Sequence, residues 1–180
     1  MYLVRLVMVM GVAFSVSMSA SHSAVAQSKS SEVAATKQWN HNIGDWVVAC
    51  SQDAEAKKTC VLSQSLSNAS TRQTLAALSF SKGATDKLQA TLRSPLGVSL
   101  AEGVQMTVEG QAPFAVAYRT CLTIGCFGGF EVNPALLANL RKAGKISIAI
   151  QTPQNQALNL NFSMVGFPKA FDMYVQEAGK

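Results

Sequence analysis

Four cysteines are the residues of this sequence whose spacing carries the most chemical information. They fall into two close pairs, Cys50 with Cys60 and Cys121 with Cys126. A redox-active dithiol uses the spacing Cys-x-x-Cys, and a zinc site uses closer cysteines or histidine partners, so both pairs fit these chemistries poorly. We therefore interpret the cysteines as disulfide partners, since an even cysteine count is typical of exported, disulfide-bonded chains.

The four cysteines allow three pairings, and the local spacing favours Cys50–Cys60 and Cys121–Cys126. Cys50 ends one predicted strand and Cys60 opens the next, which brings their Cα atoms within the ~4.4–6.8 Å that a disulfide requires. Cys121 and Cys126 flank a tight loop that contains Gly125. Each bridge closes a short loop and is expected to contribute about 2–3 kcal/mol to stability.

The start of the chain has the three-part pattern of a secretory signal peptide. Arg5 supplies a positive charge, residues 6–16 form an apolar run, and small residues at 24–26 match a cleavage site. The run is shorter than the ~20 residues of a membrane-spanning helix, which makes a membrane anchor the less favoured interpretation. We predict a signal peptide over residues 1–26.

The chain after the predicted cleavage site is expected to hold one domain. Residues 27–38 are rich in Ser, Ala and Lys and have no aromatic side chain, which predicts a flexible arm. Residues 39–180 have the length of a single domain. We predict an exported protein with no transmembrane segment in its mature chain, located in the periplasm or on the outer-membrane surface.

We find no arrangement of side chains that indicates catalysis. His41 is the one histidine after the predicted cleavage site, and its polar neighbours favour a surface or turn position over a role in a Ser-His-acid or Cys-His site. Asp45 is expected to make a turn hydrogen bond. Gly128-Gly129 lacks the context of a phosphate loop, and we predict a bulge or a sharp turn there. The sequence therefore predicts no enzyme, no metal site and no cofactor.

The net charge of +5 is distributed along the chain and does not concentrate in a basic cluster. Nucleic-acid-binding proteins cluster basic residues on one face and add aromatic residues for stacking, so we predict no nucleic-acid partner. A basic exported protein is also attracted to anionic membranes or polysaccharides. The scattered charges favour a well-solvated surface over that alternative.

Apolar and polar residues alternate through most of the chain, which predicts short β-strands. The predicted strands lie at 46–50, 59–67, 74–80, 88–92, 98–100, 104–108, 114–118, 146–150 and 158–162. One helix is expected to be capped by Asn133, to start at Pro134 and to end by Gly144. A second is expected over Pro168–Glu177. This organisation predicts a mostly β sandwich or barrel.

Several motifs share their order and spacing with one protein family. They are Gly44-Asp45-Trp46 with Cys50, Cys60 to Gln64, Pro95-Leu96-Gly97-Val98, Tyr118-Arg119-Thr120-Cys121 with Gly125-Cys126, Leu136 to Lys145, and Val165-Gly166-Phe167. Over residues 39–175 the chain resembles the invasion-associated locus B proteins. The resemblance implies a bacterial exported protein with an immunoglobulin-like antiparallel β-sandwich and one or two short helices near the C-terminus. It also implies a link to host-cell invasion and assigns no catalytic residue.

One segment departs from the family pattern. After Cys126 comes Phe127-Gly128-Gly129-Phe130, which we expect to be an aromatic, flexible loop. We predict an exposed apolar patch around Phe127 and Phe130 and a binding module for an unknown protein or an envelope or host-surface component. The alternatives are a structural or stress-related periplasmic protein without a host partner, and an enzyme of unfamiliar type with a deep polar pocket.

Overall fold

The computed structural model describes residues 36–83 and 85–179. The predicted signal peptide, 1–26, lies outside these described residues, as does most of the predicted arm. The last two residues of that arm, 37–38, belong to the first strand. Regular structure therefore begins slightly earlier than the sequence predicts.

Strands predominate among the described residues, which confirms the prediction of a mostly β fold. The elements are β1 (Lys37–Ile43), β2 (Trp46–Gln52), β3 (Lys58–Ser67), β4 (Thr74–Lys82), β5 (Leu88–Ser94), β6 (Val104–Val108), β7 (Phe114–Val116), β8 (Tyr118–Leu122), β9 (Gly125–Glu131), α1 (Pro134–Leu140), β10 (Lys145–Gln151), β11 (Ala157–Ser163) and α2 (Phe167–Ala178).

The strands form two antiparallel sheets. One has seven strands in the order β1-β2-β3-β4-β5-β9-β8, and the other has four in the order β11-β10-β6-β7. Buried apolar residues from both sheets belong to a single core cluster, so the sheets enclose one core. The predicted antiparallel sandwich, with two helices in the C-terminal part of the chain, is confirmed.

Alternation of side chains explains how the central strands separate core from solvent. In β4, Ala76, Leu78 and Phe80 are buried, whereas the intervening Ala77 and Ser79 are only partly covered. Successive side chains of a strand point to opposite faces, so a period of two places one apolar set in the core. The other face of β4 carries Leu75, Ala77, Ser79 and Ser81, which are partly exposed.

The C-terminal helix α2 covers the part of the seven-stranded sheet formed by β1, β2 and β3. Its Phe167 ring is fully buried and lies 5.0 Å from the Trp46 ring and 5.4 Å from the Phe80 ring. Lys58 of β3 forms an ion pair with Glu177, which ties the end of the helix to the sheet. Within the described residues no helix combines the length and apolar character needed to cross a bilayer.

Gln64 is a buried polar residue that connects the two sheets. Its side-chain amide donates to the carbonyl oxygens of Asp45 and Ser163, at 3.1 and 2.9 Å. Its carbonyl oxygen accepts the Ser163 N–H at 3.0 Å. A buried group left without its partner costs about 1–3 kcal/mol, so this amide specifies how β3 meets the end of β11. The Ser-Gln motif of the sequence thus has a structural role.

Gly44 and Gly166 allow two turns to meet in close contact. Both have positive φ angles, 60° and 84°. A Cβ on Gly44 would lie 2.4 Å from the Val165 carbonyl oxygen, and one on Gly166 would lie 2.5 Å from the Ile43 carbonyl oxygen. No L side chain fits such distances, so the two glycine motifs mark the contact between the β1–β2 turn and the start of α2.

Residues 98–100 do not form the strand that their apolar pattern predicts. The preceding Gly97 has a φ of 79°, which turns the chain, and the Ser99 N–H makes a backbone hydrogen bond to Gln151 at 2.8 Å. The segment is therefore a connection between β5 and β6. Turns on both sides of this segment take the place of the strand pairing that the sequence predicts.

Helix α1 begins as predicted and ends earlier than predicted. The Asn133 side chain accepts the Leu136 N–H at 2.8 Å, and Pro134 occupies the first turn. The helix ends at Leu140, and the Gly144 N–H donates to the Glu109 carboxylate at 2.7 Å. Gly144 thus closes the following connection and not the helix itself.

Candidate functional site

The structure contains two disulfides, Cys50–Cys60 and Cys121–Cys126, which are the pairs that the local spacing favours. Each joins residues directly opposite each other on neighbouring antiparallel strands. Their Cα atoms are 4.1 and 4.0 Å apart, slightly less than the sequence predicts, because both pairs are of the closer type of antiparallel residue pair. No free cysteine remains in the described part of the chain.

The Cys121–Cys126 disulfide holds a short turn at a corner of the seven-stranded sheet. Leu122, the last residue of β8, is 55% exposed, and Ile124, within the turn, is 63% exposed. Gly125 allows the turn to approach β5, since a Cβ at this position would lie 2.3 Å from the Ser94 carbonyl oxygen. Two aliphatic side chains are therefore presented to solvent on a covalently braced turn.

A third aliphatic side chain lies beside Ile124 and comes from a distant part of the sequence. Leu96, in the turn after β5, is 55% exposed and lines a surface depression of about 390 Å³ together with Ile124. We call Leu96, Leu122 and Ile124 the apolar tip. Exposed apolar groups that cluster in this way are typical of interaction sites, whereas isolated ones are normal on any protein surface.

Two arginines lie at this corner of the sheet, one beside the apolar tip and one in a neighbouring cavity. Arg93 lines the same depression as Leu96 and Ile124. Arg119 lines a smaller cavity of about 180 Å³ with the exposed Leu100, and its guanidinium donates to a β9 carbonyl oxygen at 3.1 Å. Among the described residues no ion pair involves either arginine and no carboxylate lines either cavity. Both positive charges are therefore available to a ligand.

Two buried hydroxyl groups lie behind the apolar tip. Neither the Ser94 nor the Tyr118 hydroxyl has a hydrogen-bond partner among the described residues. Burial raises the pKa of Tyr118. Tyr118 therefore stays neutral at physiological pH and adds no negative charge to this region.

The segment 127–130 is not the flexible loop that the sequence suggests. It lies in β9, which pairs with β5 on one side and with β8 on the other. A Cβ on Gly128 would lie 2.7 Å from the Ala117 carbonyl oxygen, so glycine is needed where the β7–β8 connection crosses the strand. The predicted sharp turn at Gly128-Gly129 is therefore absent, but the β8–β9 pairing is irregular beside Gly128, as a bulge there predicts. The irregular pairing occurs on the partner strand, at Arg119.

Phe127 and Phe130 point to opposite faces of β9, because their positions along the strand differ by three and side chains alternate between the two faces. Phe130 faces the core and packs edge-to-face on Phe114, with ring centroids 5.2 Å apart. Phe127 is partly exposed and lies opposite Arg93, on the outer face. The two rings do not form one patch, and their role in partner contact stays a prediction.

The residues considered for catalysis do not come together in the described structure. His41 lies in β1 opposite Val48, and Asp45 lies in the turn before β2. Among the described residues no group of three or more His, Cys, Asp or Glu side chains is arranged to hold a metal ion. That the protein is not an enzyme stays a prediction.

The apolar tip has only a partial signal in the sequence. Leu122 and Ile124 stand between two paired cysteines, and aliphatic residues are unexpected in so short a turn. Leu96 has no such signal, since only the fold brings it beside Ile124. Sequence reasoning selected the aromatic residues after Cys126 and missed the aliphatic residues before it.

Comparisons with known proteins agree in pointing to one family. Residues 46–174 match the family described as invasion associated locus B (IalB) protein. Two relatives named invasion protein B homolog, from Brucella abortus strain 2308 and biovar 1 strain 9-941, are each 28% identical over 71% of this chain and 74% of their own. The crystal structure of invasion associated protein b from Bartonella henselae superposes with a TM-score of 0.68 at 25% identity, over 77% of this chain and 95% of that one.

Proposed function

We propose a binding function for this chain, which belongs to the invasion associated locus B family. The protein acts as a non-enzymatic module of the cell envelope, and the apolar tip is the surface with which it contacts its partner. The names of its relatives refer to invasion, and we extend that link to this protein as contact with a host cell.

The exposed aliphatic side chains on a disulfide-braced turn carry this proposal. Solvent-exposed leucine and isoleucine add nothing to the stability of a monomer, and covering them provides a favourable hydrophobic contribution to association. The disulfide and Gly125 hold the turn against β5, which reduces the entropy that ordering it on binding would cost. The tip thus combines accessible apolar area with a preorganised backbone.

The predicted signal peptide and the two disulfides support an envelope location. Disulfides persist in oxidising compartments such as the periplasm and the cell surface. Treating intact cells with a protease that cannot cross the outer membrane separates these two locations. Loss of the protein beside a spared periplasmic control supports direct contact with a host cell. Protection of both favours the alternative, a structural or stress-related periplasmic protein.

A paired-variant experiment tests the tip itself. The double substitution Leu122→Ser, Ile124→Ser removes apolar area from the tip, and we expect it to lower attachment of the purified protein to host cells about tenfold or more. The matched control Val165→Ser, Val175→Ser alters two aliphatic residues that are 64% and 52% exposed and lie outside the tip. Equal attachment by the two variants would contradict the proposed function.

A further inference from the structure

We propose that the ligand of the apolar tip is an anionic membrane surface, with aliphatic side chains entering the lipid interface and arginines contacting the phosphate headgroups. The inference rests on the proposed function and names the chemistry of its partner. A protein surface is the competing occupant, and the experiment below distinguishes the two.

Charge complementarity is the first observation in favour of lipid. The two segments that build this corner, 93–100 and 118–126, contain two arginines and no acidic residue. Arg93 and Arg119 lie beside exposed aliphatic residues and are free of ion pairs among the described residues. Guanidinium groups bind phosphate oxygens in a bidentate manner, and basic residues next to apolar ones are typical of surfaces that dock on anionic lipid.

The position of the aliphatic residues is the second observation. Leu122 ends β8 and Ile124 lies in the turn between β8 and β9, and β8 is the last strand of its sheet. A turn at a sheet corner reaches a flat membrane interface without requiring a complementary cleft in the partner. The shared depression with Leu96 extends the apolar area onto the neighbouring turn. Interfacial binding of this kind increases with the buried apolar area and with attraction to anionic lipids.

The side-chain types also favour lipid over a protein partner. The centres of protein–protein interfaces are enriched in tryptophan and tyrosine, and also in arginine, so only the apolar residues of this corner distinguish the two kinds of partner. The large exposed apolar residues of this corner are Leu96, Leu100, Leu122 and Ile124, all aliphatic. Tyr118, the one tyrosine of the corner, has a buried hydroxyl and is not presented to a partner.

Vesicle flotation with the oxidised exported protein tests the proposal. The probes are phosphatidylcholine vesicles with and without phosphatidylglycerol, at low and at physiological salt. We expect binding to the anionic vesicles, weaker binding as the salt is raised, and little binding to phosphatidylcholine alone. Equal binding to both vesicle types, or to neither, overturns the proposal.

Substitutions separate the apolar and the charged contributions. Leu122→Ser with Ile124→Ser is expected to weaken vesicle binding about tenfold or more, while the control Val165→Ser with Val175→Ser binds like the unaltered protein. Arg93→Gln and Arg119→Gln are each expected to weaken binding about fivefold and to flatten its salt dependence. Thermal unfolding of each variant confirms that it is folded before it is tested. Full vesicle binding by Leu122→Ser with Ile124→Ser would contradict the proposal.

Failure of this inference is distinguishable from failure of the proposed function. If anionic vesicles fail to bind but the tip variant still loses attachment to host cells, the tip binds a different partner and only the lipid assignment is wrong. Loss of attachment after protease treatment of the host cells then identifies that partner as a protein. If the tip variant attaches to cells normally, the proposed function itself is wrong.

Discussion

Two hairpins of the seven-stranded sheet each carry a disulfide between directly opposite residues, yet their surroundings differ. In the core hairpin, formed by β2 and β3, Cys50 and Cys60 are 3% and 6% exposed and belong to the hydrophobic core. In the tip hairpin, formed by β8 and β9, Cys126 is buried but Cys121 is exposed. The same covalent connection thus sits in the interior at one place and at the surface at the other.

The turns of the two hairpins differ in the same sense. The turn of the core hairpin is polar, and the Asp53 carboxylate accepts the N–H groups of Glu55 and Lys57 at 3.1 and 2.8 Å. The turn of the tip hairpin presents Leu122 and Ile124 to solvent. A polar turn stays solvated and needs no partner, whereas exposed aliphatic residues gain by being covered. The comparison indicates that one disulfide supports the fold and the other supports a contact surface.

Removing each disulfide is the strongest way to break this comparison. Cys50→Ala with Cys60→Ala is expected to lower the free energy of unfolding by about 3–4 kcal/mol, because it loses the loop constraint and leaves space in the core. The Cys121–Cys126 disulfide closes a shorter loop. Cys121→Ala with Cys126→Ala is therefore expected to lower the free energy of unfolding by about 2 kcal/mol. Equilibrium unfolding in urea measures both values.

The effects of the two disulfide removals on binding should follow the opposite order, with the larger loss in the variant without the tip disulfide. The variant without the tip disulfide keeps its fold but loses the preorganised turn, so we expect weaker attachment to host cells and to anionic vesicles. The variant without the core disulfide should attach normally under conditions in which it is folded. Normal attachment by Cys121→Ala with Cys126→Ala would show that the disulfide does not position the proposed contact surface.

The sequence predicts those features that depend on neighbouring residues. Cysteine spacing led to both disulfides, alternation led to most strands, and Asn133 marked the start of α1. Non-local contacts were not predictable in this way. The position of Leu96 beside Ile124 depends on the order of β5, β9 and β8, and the need for glycine at position 128 depends on the crossing of Ala117. The pattern of residue types along the chain does not show which distant segments lie close together in the fold.

Gly125 provides a smaller test of how the tip hairpin is held. Gly125→Ala is expected to cost about 2–3 kcal/mol and to weaken attachment, because φ is 142° and the added Cβ would meet the Ser94 carbonyl oxygen. Gly97→Ala is the matched control, since its φ is 79° but no atom lies within 4 Å of the added Cβ. The control is expected to cost about 1 kcal/mol. Similar costs for both would mean that the approach to β5 does not constrain the tip.

The smallest expected effect concerns one buried tyrosine beside each hairpin. Burial raises the pKa of both Tyr118, behind the tip, and Tyr174 of α2. Each hydroxyl therefore ionises in the unfolded chain near pH ~10 and only at higher pH in the folded protein. The contribution of each neutral hydroxyl to the free energy of unfolding is fully present below pH ~10 and is lost as the pH rises through the folded pKa.

Tyr118→Phe and Tyr174→Phe remove these hydroxyls and should reduce the loss of stability above pH ~10. Because neither hydroxyl has a hydrogen-bond partner among the described residues, both substitutions should be close to neutral at pH ~7. Thermal unfolding at neutral and alkaline pH measures the difference between each variant and the unaltered protein. Since Tyr174 is 2% exposed and lies in the core that the first disulfide supports, we expect its substitution to preserve more stability at alkaline pH than that of Tyr118. The reverse order would indicate that the region behind the tip is packed as tightly as the core, and the contrast between the two hairpins would then be confined to their turns.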